Sequence, residues 1–63
     1  MKIQQLHEAL SILVRQQPTD DVAIANDMIF CGKYSPDLYT RKQEERLEEL
    51  GFTDDGDSWC AFI

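Results

Sequence analysis

A chain of 63 residues with 12 Asp and Glu against 6 Lys and Arg, for a net charge of -6, has room for one hydrophobic core, since a second domain needs roughly 50 residues of its own. A core that thin leaves little for a pocket that excludes water from a reaction, and so much acid disfavours direct contact with nucleic acid or anionic lipid, which call for a basic surface. The expectation is a single domain over residues 1–63 that is not an enzyme and whose natural complement is a basic partner; the plainer alternative is charge kept for solubility.

From Met1 to Gln16, apolar residues recur at Ile3, Leu6, Leu10, Leu13 and Val14, with Ala9 beside them, the three-and-four spacing of one helix face. Pro18 then predicts a helix end near Gln16 or Gln17, because the residue before proline is pushed out of the helical region. Gln4, Gln5, His7, Glu8 and Arg15 interrupt the apolar residues, so this stretch reads as neither a signal-peptide core nor a membrane span. A cytoplasmic setting with Cys31 and Cys60 as reduced thiols is expected.

Val22 to Ala25 and Met28 to Cys31 are strand-like runs separated by Asn26-Asp27. Both turn residues tolerate positive φ, which favours a two-residue hairpin over one continuous element. Gly32 is expected to end the second run, and Ser35-Pro36-Asp37 to form a turn or a single helical turn. Thr40 and Gln43 have capping-box spacing, which predicts a second helix from about Arg41 to Leu50. Gly51 suits its left-handed end, and Phe52 is placed to fold back on Leu47 in a Schellman stop. After the turn Asp54-Asp55-Gly56-Asp57, the run Ser58 to Ile63 closes as a strand. The predicted architecture is an α+β domain of order α-β-β-α-β, two helices on a three-stranded, mainly antiparallel sheet.

The stretch from Asp21 to Ile63 carries Asn26-Asp27-Met28-Ile29-Phe30, Leu47-Glu48-Glu49-Leu50-Gly51-Phe52, Asp54-Asp55 and Trp59-Cys60-Ala61-Phe62. In these features it resembles a family of small acidic proteins of phages, prophages and bacterial genomes. The resemblance covers about two thirds of the chain, rests mostly on residues with structural roles, and implies a phage or mobile-element origin but no catalytic residues.

No nucleophile, base and orienting group stand out. Cys31 and Cys60 lie in apolar strands, where cysteine behaves as a small hydrophobe. Two cysteines and His7 fall short of a zinc site. The acidic turn lacks the spacing and closing glutamate of a calcium loop, and the scattered glycines make no phosphate cradle. Neither cofactor nor metal is expected.

Two features point to a partner surface. Eight of the 12 carboxylates fall between Asp37 and Asp57. Glu44 and Glu48, and Glu45 and Glu49, stack four apart, and acid near the carboxyl end of this helix opposes its dipole. Retaining that conflict suggests the carboxylates are used, and a solvated face is the competing reading. The strands also alternate two apolar sets: Trp59, Ala61 and Ile63 against Cys60 and Phe62, and Met28 and Phe30 against Ile29 and Cys31. Two helices cover one sheet face, so either the other exposes apolar groups for self-association or a partner, or Tyr34, Tyr39 and the loops fold over it.

The resulting expectation is a protein–protein interaction module, most concretely a phage-encoded inhibitor of anti-CRISPR or DNA-mimic type that blocks a basic nucleic-acid-binding surface of a host protein. Glu44, Glu45, Glu48, Glu49, Asp54, Asp55 and Asp57 would supply charge, with Trp59 or Tyr39 as an anchor if exposed. The competing expectation is a homodimeric accessory domain joined through the second sheet face.

Overall fold

The computed structural model describes residues 1–35 and 37–63. In chain order the elements are α1 (Ile3–Gln16), β1 (Val22–Ala25), β2 (Met28–Lys33), α2 (Arg41–Glu49), β3 (Thr53–Asp54) and β4 (Ser58–Phe62). The strands form one antiparallel sheet of order β1-β2-β4-β3. The α+β class is as expected. The sheet has four strands where three were predicted, because Thr53 and Asp54 pair with Cys60 and Trp59 to add a short edge.

Each element follows from local chemistry. The α1 stripe buries Ala9 and Leu13 and packs Leu6, Leu10 and Ile12 against the core, while Ile3 and Val14 stand exposed. Asn26 and Asp27 take φ values of 52° and 65°, the two successive left-handed residues of a type I′ hairpin, whose twist matches its strands. Gly32 does not end β2. It sits at φ 65° in a register shift between Cys31 and Lys33, and the strand runs on to pair Lys33 with Ser58. The turn expected at Ser35-Pro36-Asp37 centres on Pro36, outside the described residues.

Both ends of α2 are made as its sequence requires. Thr40 Oγ1 accepts from the Gln43 N–H at 3.2 Å, and Gln43 Oε1 accepts from the Thr40 N–H at 2.9 Å. At the other end the Phe52 N–H donates to Leu47 O at 2.9 Å and the Gly51 N–H to Glu48 O at 3.0 Å, with Gly51 at φ 97°. These are the two bonds of a Schellman motif.

The core lies on one face of the sheet. Ile29 and Cys31 of β2 stand opposite Ala61 and Trp59 of β4, and this buried set meets Leu13, Tyr39, Leu47, Leu50 and Phe52. Trp59, Phe52 and Leu47 are the largest fully buried side chains. Leu47→Ala is therefore expected to lower unfolding stability by roughly 2–5 kcal/mol, the range for a large-to-small change in a packed core. Denaturant unfolding measures it, and a shift below about 0.5 kcal/mol, the scale of surface substitutions, would contradict this packing.

Candidate functional site

The predicted site residues divide into core and surface. Trp59 is 1% exposed and Tyr39 6%, so neither is a surface anchor. The register that sets Trp59 opposite Cys31 points the indole under the helices. There Tyr34 and Tyr39 meet it edge-on, with centroids 5.4 and 6.0 Å away and interplanar angles of 75° and 87°, a geometry favoured by ring quadrupoles. The indole Nε1 has no hydrogen-bond partner among the described residues. Tyr39 is fixed further by its hydroxyl, which donates to Gln17 Oε1 at 2.6 Å. Burial, aided by the charge of Asp20, pushes its pKa up to about 12.

Gln17 is a structural hub that sequence reasoning missed. While its oxygen receives the Tyr39 hydroxyl, its Nε2 donates to Lys33 O at 2.7 Å, tying the end of α1 to the β2 bulge. The positive φ at Gly32 favours glycine, and a Cβ there would meet that same carboxamide oxygen, so a larger residue would push the Gln17 side chain off its two bonds.

The seven acidic candidates are not equivalent. Glu45 pairs with Arg41 at 3.2 Å and Glu49 with Arg46 at 3.7 Å. Arg46 also makes a two-point contact with Glu8 of α1, bridging the helices. That contact joins residues 38 apart and leaves no local pattern to read. Asp54 Oδ1 accepts the Gly56 N–H at 3.1 Å, and Asp55 Oδ1 accepts the N–H groups of Asp57 at 2.9 Å and Ser58 at 2.8 Å. Those two carboxylates help build the turn into β4, and Asp57 stands exposed beside them.

Of the seven, Glu44, Glu48, Asp54, Asp55 and Asp57 have no cation partner among the described ion pairs. Burial first, and then the charges of Asp54, Glu44 and Glu48, raise the pKa of the half-buried Tyr34. Glu44 and Glu48 lie four residues apart on α2, with Glu45 and Glu49 next to them in ion pairs with Arg41 and Arg46. Glu44 lies in the first turn of α2, where negative charge suits the dipole. The local conflict expected of this helix falls mainly on Glu48.

The second sheet face is open. Tyr34 and Tyr39 do not cover it, because both pack on Trp59 on the helix side. Phe62 is 72% exposed there, and its neighbours Met28 and Phe30 are half-buried. Cys60 is buried on this face at 5% exposure, opposite Phe30 and Thr53, whereas Cys31 is buried on the helix face. The thiols are free and point to opposite sides of the sheet, so they do not form a bridging pair. Burial raises the pKa of Cys31.

Among the described residues no group of three or more His, Cys, Asp or Glu is placed to hold a metal ion, and no helix is long and apolar enough to cross a membrane. In comparisons with known proteins, no family model, curated protein or solved structure matches the chain.

Two carboxylates carry a pH dependence. Backbone bonds from Ser58 and Asp57 hold Asp55 below its ordinary 3.8, and the hydrogen bond from Arg46 holds Glu8 below its ordinary 4.5. With both folded values depressed, the unfolded chain takes up protons first as pH falls. Their stabilisation is complete above 4.5 and is lost as pH drops through 3.8 and then through the folded values. Melting temperature against pH should fall along this limb and flatten in Asp55→Asn and Glu8→Gln. An unchanged acid limb in both variants would contradict these assignments.

Proposed function

We propose that this domain is a protein–protein interaction module that offers an acidic surface to a basic partner, in its most concrete form an inhibitor that occupies the nucleic-acid-binding surface of a host protein. The reading is carried by Glu44 and Glu48, four residues apart on α2 and without a cation among the described ion pairs, next to the carboxylates of the turn before β4. A solvating charge needs no such gathering, whereas a surface that stands in for phosphates needs several carboxylates on neighbouring elements. Tyr34 adds a partly exposed aromatic ring on which an arginine can stack. Small size and the phage-like segments support the inhibitor version, and the host-cell cytoplasm would be its setting.

A second reading has its own observation. The open sheet face, with Phe62 72% exposed, is of the kind that self-associates, and a homodimeric accessory domain would use it.

The test is capture from a bacterial lysate, followed by titration of the captured protein with its own DNA or RNA as competitor. Glu44→Lys with Glu48→Lys should cut affinity roughly tenfold or more at low salt, mainly through the association rate, as for steering charges. Glu45→Lys with Glu49→Lys should lose less, because those carboxylates already hold arginines. Both losses should shrink as salt shortens the screening length below about 8 Å. Equal affinity of wild type and the Glu44, Glu48 variant at low salt, or no displacement by nucleic acid, would reject the reading.

A further inference from the structure

The two sheet edges are built differently. β3 is two residues long and acidic turn residues follow it, a length that offers little template. β1 is a four-residue edge, Val-Ala-Ile-Ala, exposed throughout, with none of the lysines, prolines or bulges that usually protect an edge.

Its free backbone groups follow from its ladder. The Gly32 N–H donates to Asp21 O at 3.4 Å, and hydrogen-bonded pairs alternate along an antiparallel register. The pairs Ala23 with Phe30 and Ala25 with Met28 are then the bonded ones, so Val22 and Ile24 turn their N–H and C=O groups outward. The side chains of Val22 and Ile24 lie on the helix side, at 53% and 66% exposure. A groove of about 240 Å³ beside β1 and α1 is lined by Leu10, Leu13, Val14, Val22 and Cys31 together with Asp20 and Asp21; one oxygen of Asp20 also accepts the Lys33 N–H at 3.2 Å. No Lys or Arg lines it, and Asp27 in the hairpin turn marks the other end of the strand.

We propose that the β1 edge and its groove take an extended segment of a partner protein, with apolar side chains at alternate positions and Lys or Arg at both ends. The outward N–H and C=O groups of Val22 and Ile24 would supply the ladder, as in other strand-addition complexes. The groove receives side chains of the incoming strand that share the face of Val22 and Ile24. Charge selects the occupant: Asp20 and Asp21 at one end and Asp27 at the other match a strand flanked by cations. A second copy is disfavoured, because antiparallel self-pairing across Val22 and Ile24 lays Asp20 and Asp21 of each chain beside the Asn26-Asp27 turn of the other. This site lies on the opposite edge of the sheet from β3 and does not depend on the acidic residues of α2.

The test uses a capped synthetic peptide, Lys-Lys-Val-Thr-Val-Thr-Val-Lys-Lys, with amide hydrogen exchange followed by NMR. In the free protein the Val22 and Ile24 amides should exchange faster than those of Ala23 and Ala25. At saturating peptide they should slow by roughly tenfold or more, as amides drawn into a ladder do. That protection should persist in Glu44→Lys with Glu48→Lys, and should be lost in Ile24→Lys, with a glutamate-flanked peptide, and with a peptide N-methylated at alternate amides. Unchanged exchange at Val22 and Ile24 would overturn the proposal, as would equal binding of the methylated peptide. Protection without peptide that grows with protein concentration would assign the edge to a second copy and overturn it too.

Discussion

Trp59 stands beneath two helices and between two tyrosine rings, and its burial decides where the other elements can go. With one core available, the chain spends its large side chains on a single sheet face. Phe52 and Leu47 close over that face from the Schellman end of α2, and Tyr39 is locked to it through Gln17. The indole N–H has no hydrogen-bond partner among the described residues, so the described contacts that hold the ring in place are packing contacts.

One-sided burial also explains the surface. What the core does not cover is left as an open apolar face around Phe62, an unprotected β1 edge, and an acidic rim where α2 meets β3. The rim is sorted by its neighbours. Arginines at 41 and 46 hold Glu45, Glu49 and Glu8, and turn amides occupy Asp54 and Asp55. Glu44, Glu48 and Asp57 are left without either kind of partner among the described residues. Sequence clustering alone does not separate these roles, because ion pairing and turn capping depend on where side chains arrive.

Much of the fold was legible because its signals are local. The Thr40 capping box, the Gly51-Phe52 stop and the Asn26-Asp27 hairpin each lie within a few residues, and strand alternation separated Trp59 and Ala61 from Cys60 and Phe62. β3 was not legible, since two residues become a strand only when β4 arrives beside them. Gln17 and the contact between Glu8 and Arg46 were likewise hidden by their sequence separation. The expectation of Trp59 or Tyr39 as an anchor failed for a related reason. An aromatic residue suits a core and an interface equally, and only the register against Cys31 shows which way the indole points.

The claim beneath all of this is that Trp59 is the core pin and not a contact residue. As the chain's one tryptophan, it reports on itself through its fluorescence. Iodide quenching of the native protein, compared with the protein unfolded in denaturant, tests the claim most directly. A blue-shifted native emission that iodide barely quenches, turning red-shifted and quenchable on unfolding, is the predicted result; native emission already red-shifted and quenched as in the unfolded chain would contradict it.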